Sequence, residues 1–519
     1  MRRVLVHPIA PLVGCALGCL AYVIAHPATA DMAAHAYRAW LFQHEGLTPW
    51  NAQWYGGHAV LGYSLLFAPL AALAGPIPIG VASALAAEAL FIPLARSVAR
   101  TPATAAAASW LFAGGVLSNV FIGRMPFLLG IALGLGAWMC ARRRKHVGAA
   151  VLAVASMWAS PVAGVYVLLG AAALAAGGGR NAVKPALWLA IPSLAGGIVM
   201  WKLFPEGGTD RFAASAFWPM LAISAGGVAL LTPRRRTLWA AGLLYLAVLV
   251  GAFVVPTPFG QNALRLGVLA GPSVLALAHR RRPPVLALAV VGVGLVYLQW
   301  LPAVRAVAEA HGDPSTHAAF QDEARDFLGR VAQPGERVEV PLTLNHWEAA
   351  DIAQVVPLAR GWERQLDQKA NPIFYGPKNE LTPASYHAWL RDNAVRWIAL
   401  PHTKLDYSAK AEAKLLAGGL NYLTLVYRSP RWRIWKVRGT DPPASNGAQV
   451  LAAGPTWFEV DTRGPTVVRY RYTKYWYADD ACVSRTPGGW TSIEPDRPGV
   501  VMVRARFDLE RPSNPACSR

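Results

Sequence analysis

Acidic residues are scarce in the first 304 residues of this 519-residue chain. Only five of its 29 acids lie there (Asp31, Glu45, Glu88, Glu206 and Asp210), beside 21 of its 49 lysines and arginines. So little negative charge excludes an ordinary soluble domain, whose surface mixes both signs. Five cysteines in a chain this long exclude a disulfide scaffold. The chain has no P-loop, no G-x-G-x-x-G behind a strand, no zinc-like Cys/His spacing and no G-x-S-x-G. Their absence argues against a soluble nucleotide-sugar site. The net charge of +20 sits mostly in short loops between apolar stretches rather than on one soluble face. Nucleic acid is therefore excluded as a partner, and a lipid bilayer is implied.

Long apolar runs are what this region has instead. A span needs about 20 mainly apolar residues, because only a helix satisfies its own backbone where water is missing. Eleven such stretches are expected: 8–26, 77–95, 103–121, 126–141, 147–160, 162–176, 185–204, 215–231, 238–255, 265–279 and 285–303. Sixteen basic residues fall on one side of them: Arg2, Arg3, Arg96, Arg100, Arg142 to Lys145, Arg180, Lys184, Arg234 to Arg236 and Arg280 to Arg282. Five, Arg38, Arg124, Lys202, Arg211 and Arg265, fall on or near the other. The basic side is read as cytoplasmic, which puts the N-terminus inside and the C-terminal domain outside. Residues 60–74 are apolar enough to span, but counting them reverses every later loop. They are expected to lie at the outer surface or to enter part-way. The basic-then-apolar N-terminus lacks a clean small-residue cleavage site and is kept as the first span.

The expected fold is thus an α-helical polytopic membrane domain over 1–304, followed by an extracytoplasmic α/β domain over 305–440. A β-sandwich-like domain over 441–519 completes it. The α/β reading rests on a helix at 315–331 capped by Ser315 or Thr316, a strand at 337–343, and alternating elements at 382–394, 395–400 and 408–418. Cys15, Cys19 and Cys140 lie in spans, where small apolar packing is their usual role. Cys482 and Cys517 lie in the outer domain, where an oxidising compartment permits a disulfide.

The outer loop 27–58 carries the clearest chemical signal. Asp31, His35 and Arg38 are spaced i, i+4, i+7 and share one helical face. Trp50, Trp54 and Tyr55 supply aromatic surface, Gly56-Gly57 permits a tight turn, and His58 follows. A carboxylate there suits proton removal from an attacking hydroxyl, and the cations suit a phosphate leaving group. The alternative is structural: an interfacial aromatic belt, an arginine snorkelling to lipid phosphates, and an acid capping a helix.

The order of these features resembles the GT-C superfamily of membrane glycosyltransferases, which use polyprenyl-phosphate sugars as donors. The features are a first span, an outer Asp with a His four residues on, W-x-x-x-W-Y-G-G at 50–57 and Y-x-x-x-F-x-P-L at 63–70. More narrowly, the chain is similar to bacterial membrane proteins related to 6-pyruvoyl-tetrahydropterin synthase. The resemblance implies that Asp31 is a catalytic base or a metal ligand. A divalent metal is the one cofactor it admits, but this loop has one Asp where many members carry paired D-x-D or E-D acids. His35, Arg38, His58, Arg124 and Arg265 are then candidates for donor phosphate, Arg124 from N-x-x-x-x-R-M-P-F and Arg265 from P-F-G-Q-N-A-L-R. Glu206, Asp210 and Arg211 form another outer loop. Glu88, mid-span, is costly unless protonated, paired or wet.

Trp54 and Tyr55 are candidates for sugar or acceptor binding, as are His346 and Trp347 at a strand end and Trp362 and Arg364 in A-R-G-W-E-R-Q-L-D. The aromatic run from Tyr470 to Tyr477 is either a carbohydrate platform or, more commonly, strand core. The expectation is a transferase in a bacterial cytoplasmic membrane that moves a sugar from a polyprenyl-phosphate donor to a cell-envelope glycan or glycolipid acceptor. The competing class is a non-catalytic lipid- or glycan-binding assembly partner or transporter. A transporter would show internal repeats, and the halves of this chain share none.

Overall fold

The computed structural model describes residues 6–205, 207–376, 381–507 and 517. Arg2, Arg3 and Glu206 lie outside the described residues. The chain divides into two compact units. The first comprises residues 1–32, 63–205 and 209–311, and the second 33–62, 206–208 and 312–519.

The first unit is helical. Its helices are Ala10–Ala25, Pro76–Val98, Pro102–Ile122, Met125–Arg142, His146–Ala159, Pro161–Gly177, Arg180–Leu203, Ala214–Leu230, Arg236–Val254, Leu264–Ala278 and Val285–Ala310, with a short one at Phe67–Ala74. Proline fixes several starts, at Pro76, Pro102 and Pro161, because its missing N–H is unneeded in a first turn. Thr101 caps the third by accepting from the Thr104 amide, and Gly123 ends it in the left-handed region at φ +91°. Among the described residues six helices are long and apolar enough to cross a membrane, or seven if Ala10–Ala25 is joined to the helix after it. Leu73, Val285 and Leu286 turn outward at 77–83% exposure. Such surface is unfavourable in water and ordinary in lipid, so the chain is a membrane protein. Phe67–Ala74, eight residues or about 12 Å long, is too short to cross.

Interhelical bonds show which ends of the helices lie together. At one end Arg100 donates to the His279 carbonyl (3.1 Å), Thr232 to Ala278 and Arg280 to Leu230. This end gathers the described basic clusters. At the other end Thr29 Oγ1 donates to the Ile122 carbonyl (2.9 Å), Leu65 to Trp158, Asp210 to Thr257, and Tyr166 Oη to the Asn262 carbonyl (2.6 Å).

The second unit opens with a mixed sheet in the order Arg337–Glu339, Val395–Pro401, Trp432–Val437, Leu423–Arg428, with the first pair parallel. Ala318–Val331 and Pro383–Asp392 pack against it. Asp313, rather than Ser315 or Thr316, begins the turn before the first helix, accepting from the Ser315 amide. The β-rich end holds two antiparallel sheets. One has the order Trp476–Tyr477, Gly499–Ala505, Trp457–Thr462, Gln449–Ala453. The other has the order Ala481–Arg485, Trp490–Pro495, Thr466–Arg471. Phe458 and Tyr470 stack across them at 4.5 Å. Tyr470, Tyr475 and Trp476 are buried, which is the strand-core reading of that aromatic run. Cys482 and Cys517 form a disulfide with Cα atoms 4.8 Å apart.

Two boundaries differ from those expected. The division falls at 311 rather than 304, because Val285–Ala310 runs through Pro302 without ending. Residues 33–62 fold with the second unit rather than remaining an outer loop of the first. Tyr37, Leu41, Trp54 and Val60 join Phe320, Leu328 and Val338 in one core, and the Leu358 amide donates to the Gln53 carbonyl (2.7 Å).

Candidate functional site

The loop expected to form one site is shared between the two units, and its residues take different roles. Asp31, in the first turn of Ala30–Glu45, belongs with the helical unit. Thr29 and Gly123 fix its neighbourhood: a Cβ on Gly123 would meet Thr29 Oγ1 at 2.8 Å and Met32 Cγ at 2.9 Å. Arg124 follows Gly123 directly. Its Nε lies 3.9 Å from Asp31 Oδ2, with side chains 20% and 30% exposed. That is an ion pair without a hydrogen bond. Arg265 comes from the start of Leu264–Ala278, where Tyr166 Oη accepts from the Leu266 amide (3.1 Å). Its guanidinium carbon lies 5.6 Å from the Phe127 ring centroid. Burial, then the neighbouring Arg265, pushes the Arg124 guanidinium down to about 10, and Asp31 opposes the shift. The Nε atoms of both arginines are buried and without hydrogen-bond partners. Arg124, with a buried unused donor, thus stands beside one part-exposed carboxylate, and Arg265, with another, lies near Arg124.

The other loop residues are interior to the second unit. His35 and Arg38 are buried, and Arg38 Nη2 pairs with Glu363 Oε2 at 2.9 Å. A phosphate role for Arg38 is therefore corrected: its charge is already matched within the fold. His58 stacks on Trp54 at 5.5 Å and lies 3.1 Å from Asn51 Nδ2. Burial, then Arg38, pushes its imidazole down to about 3, so it is neutral near pH 7 and poorly suited to hold phosphate. Trp54 is fully buried, with Nε1 donating to the Ala349 carbonyl (3.0 Å). Tyr55 Oη accepts from the Glu363 amide (2.9 Å). Neither ring offers a face to a sugar. The Gly56-Gly57 turn has φ values of +74° and +137°, and a Cβ on Gly57 would strike the Trp50 ring.

Three of the α/β candidates meet one another; His346 is closed, while Trp347, Trp362 and Arg364 are part-exposed. His346 is 1% exposed and stacks on Trp362 at 3.4 Å, with Trp347 half-buried beside it in sequence. Arg364 makes a bidentate pair with Asp406 (2.9 and 2.7 Å) and lies over Trp362 and Tyr407. Burial raises the Asp406 carboxyl, but the Arg364 pair outweighs it and holds the group below its usual range. Behind these residues is a cluster that residue spacing did not reveal. Arg360 binds Asp367 (2.6 Å) and faces Glu412 (3.6 Å) and Glu339 (3.8 Å), all four side chains at 0–1% exposure. Glu339 lies in a strand buried along its length and Glu412 one turn before buried Leu416. A charged residue at a core position was the available signal.

Among the described residues no group of three or more His, Cys, Asp or Glu side chains is placed to hold a metal ion. Glu88 is buried with neither carboxyl oxygen hydrogen-bonded.

No family model matches the chain, and no curated protein matches it. Among solved structures, the crystal structure of ArnT from Cupriavidus metallidurans bound to undecaprenyl phosphate is similar at a TM-score of 0.47 and 13% identity. The match covers 84% of this chain and 99% of that one. A likeness of that degree does not carry a function, which must come from the side chains.

Proposed function

We propose that this chain is a GT-C-like glycosyltransferase that moves a sugar from a polyprenyl-phosphate donor to a cell-envelope glycan or glycolipid acceptor. The W-x-x-x-W-Y-G-G signature keeps the narrower likeness to the 6-pyruvoyl-tetrahydropterin-synthase-related membrane proteins as part of this reading. The observation that carries it is the part-exposed Asp31, 3.9 Å from Arg124 with Arg265 alongside. A bound donor phosphate takes the unused Nε donors of both arginines and draws Arg124 away from Asp31. The freed carboxylate accepts the acceptor hydroxyl proton as the acceptor oxygen bonds to the anomeric carbon. The bond from that carbon to the phosphate oxygen breaks, and polyprenyl phosphate leaves with its charge stabilised by the two arginines. This end of the helical unit lies at the outer face and the arginine-rich end in the cytoplasm, by the rule that basic loops stay inside. The Cys482–Cys517 bridge agrees with an oxidising compartment for the second unit.

Sugar transfer by the reconstituted protein tests the chemistry. Asp31→Asn should bind polyprenyl phosphate normally but lose ~10²–10⁴-fold in transfer rate. Arg265→Ala should instead weaken polyprenyl-phosphate binding. Unchanged transfer by Asp31→Asn, or unchanged binding by both Arg124→Ala and Arg265→Ala, would overturn the assignment. Orientation is tested by reporter fusions active only outside the membrane. Signal at Arg234 to Arg236 with silence at the C-terminus would reverse it.

A further inference from the structure

The arginine-rich end of the helical unit contains more than topology signals. A cavity of about 1010 Å³ opens there, at the upper end of the ~300–1,000 Å³ typical of ligand sites. Phe91, Leu94, Trp138, Leu174, Leu238 and Leu277 form its apolar walls. Arg142, Arg144, Arg180, Lys184 and Arg234 to Arg236 stand at its mouth, and no acid lines it. A second groove, about 540 Å³, starts from the same Arg180 and Lys184 and runs along Leu187, Trp188 and Ile191.

Two further features mark the mouth as built for an anion. The helices His146–Ala159, Arg180–Leu203 and Arg236–Val254 all begin there, and none has a side-chain cap hydrogen bond. Their positive dipole ends therefore lie at the cationic rim with no side-chain cap of their own. His146 stacks on Trp188 at 5.6 Å, and its buried Nδ1 has no hydrogen-bond partner.

We propose that this end binds one anionic phospholipid, with its phosphate held by Arg180, Lys184 and Arg236 and its two acyl chains in the chamber and the groove. Charge complementarity selects the headgroup. The two apolar channels diverging from one pair of cations select a two-chain lipid over a free phosphate or nucleotide, which would leave those walls empty. Basic residues retained only to set orientation would need no chamber behind them.

The test uses the full chain in phosphatidylcholine nanodiscs, with and without phosphatidylglycerol. The readouts are retained phosphatidylglycerol by native mass spectrometry and the thermal unfolding midpoint. Phosphatidylglycerol should be retained and should raise the midpoint, whereas inorganic phosphate should not. The triple variant R180Q/K184Q/R236Q should lose on the order of a hundredfold in affinity, from ~1 kcal/mol per basic residue. Ala241→Trp fills the chamber without altering charge and should also abolish retention. It decides the question if the triple variant fails to fold. Arg281→Gln, outside the cavity, should bind as the parent does. Equal stabilisation by inorganic phosphate, normal retention by Ala241→Trp, or an equal loss in Arg281→Gln would each overturn the site.

Discussion

Two of the arginine–carboxylate clusters among the described residues put the same side chains to opposite uses. In the helical unit Asp31 and Arg124 are part-exposed and 3.9 Å apart, and Nε atoms of Arg124 and Arg265 are unused. In the second unit Arg360 sits among Asp367, Glu339 and Glu412 with nothing exposed, its closest contact 2.6 Å. Charge alone does not distinguish a site from a structural element. Nor do unused donors and acceptors, since Arg360 Nη1, both Glu339 oxygens and Glu412 Oε2 also have no hydrogen-bond partner. The difference lies in access: Arg124 and Asp31 are 20% and 30% exposed, whereas the Arg360 cluster is closed to solvent. There one arginine cannot match three carboxylates. Burial, then Glu412, holds Glu339 well above the usual carboxylate range, while burial lifts Glu412 to about 7. Asp367 takes the close ion pair, and the other two are held toward the protonated form.

The sharpest way to break this comparison is to remove one charge from each cluster and measure stability. Arg360→Ala leaves buried carboxylates without their cation and should cost ~3–5 kcal/mol in denaturant unfolding of the second unit. Asp31→Asn, at a part-exposed site with no hydrogen bond to lose, should stay within ~0.5 kcal/mol. If Asp31→Asn destabilises as strongly as Arg360→Ala, the helical cluster is structural and the catalytic reading loses its basis.

A covalent constraint should rank next. Cys482–Cys517 ties the last described residue to the strand Ala481–Arg485, 35 positions earlier. Closing a loop of that size contributes ~3–4 kcal/mol by restricting the unfolded chain. Cys482→Ser, or full reduction, should lower stability by that amount without changing polyprenyl-phosphate binding. A loss below ~1 kcal/mol would mean that hydrogen bonding along the strand already holds this end in place.

How much of this was legible in the sequence depended on what each residue type must do locally. All eleven apolar stretches form helices, because a long apolar run flanked by basic residues has few other ways to satisfy its backbone. Arg124 meets Asp31, and Arg265 comes near Arg124, because helix ends of alternating direction return to one level. The fate of 33–62 was not legible. Its aromatic residues suit a membrane interface as well as a protein core, and only the docking of Trp54 onto Ala349 and Gln53 onto Leu358, some 300 residues away in the chain, separates the two. The same limit hid the role of Arg360. In A-R-G-W-E-R-Q-L-D it reads, with Arg364 and Asp367, as a loop for saccharide or anion binding or for an interface, until Glu339 and Glu412 are brought around it in the core.

The smallest predicted effect concerns pH, and it separates two buried groups of opposite sign. His58 faces Arg38, Asn51, Trp54 and Tyr55, and its folded pKa of about 3 lies below the ~6.5 of an exposed imidazole. Between those values the unfolded chain binds the proton and the folded one does not, so stability falls as the pH drops through that window. Going from pH 7 to pH 5 this amounts to about 2 kcal/mol. Glu412 acts the other way. Its folded pKa of about 7 lies above the usual carboxylate value, so its neutral form is favoured and stability rises as the pH drops from 7. The parent protein should therefore show a flattened profile in which the two slopes oppose. His58→Gln removes one of them. The variant should gain about 2 kcal/mol relative to the parent between pH 7 and pH 5 in denaturant unfolding, whatever its fixed cost at pH 7. Parallel profiles would show that His58 keeps its proton in the folded state. It would then be a cation beside Arg38 after all, and the contrast between a closed interior and an accessible Asp31 site would be weaker by that one group.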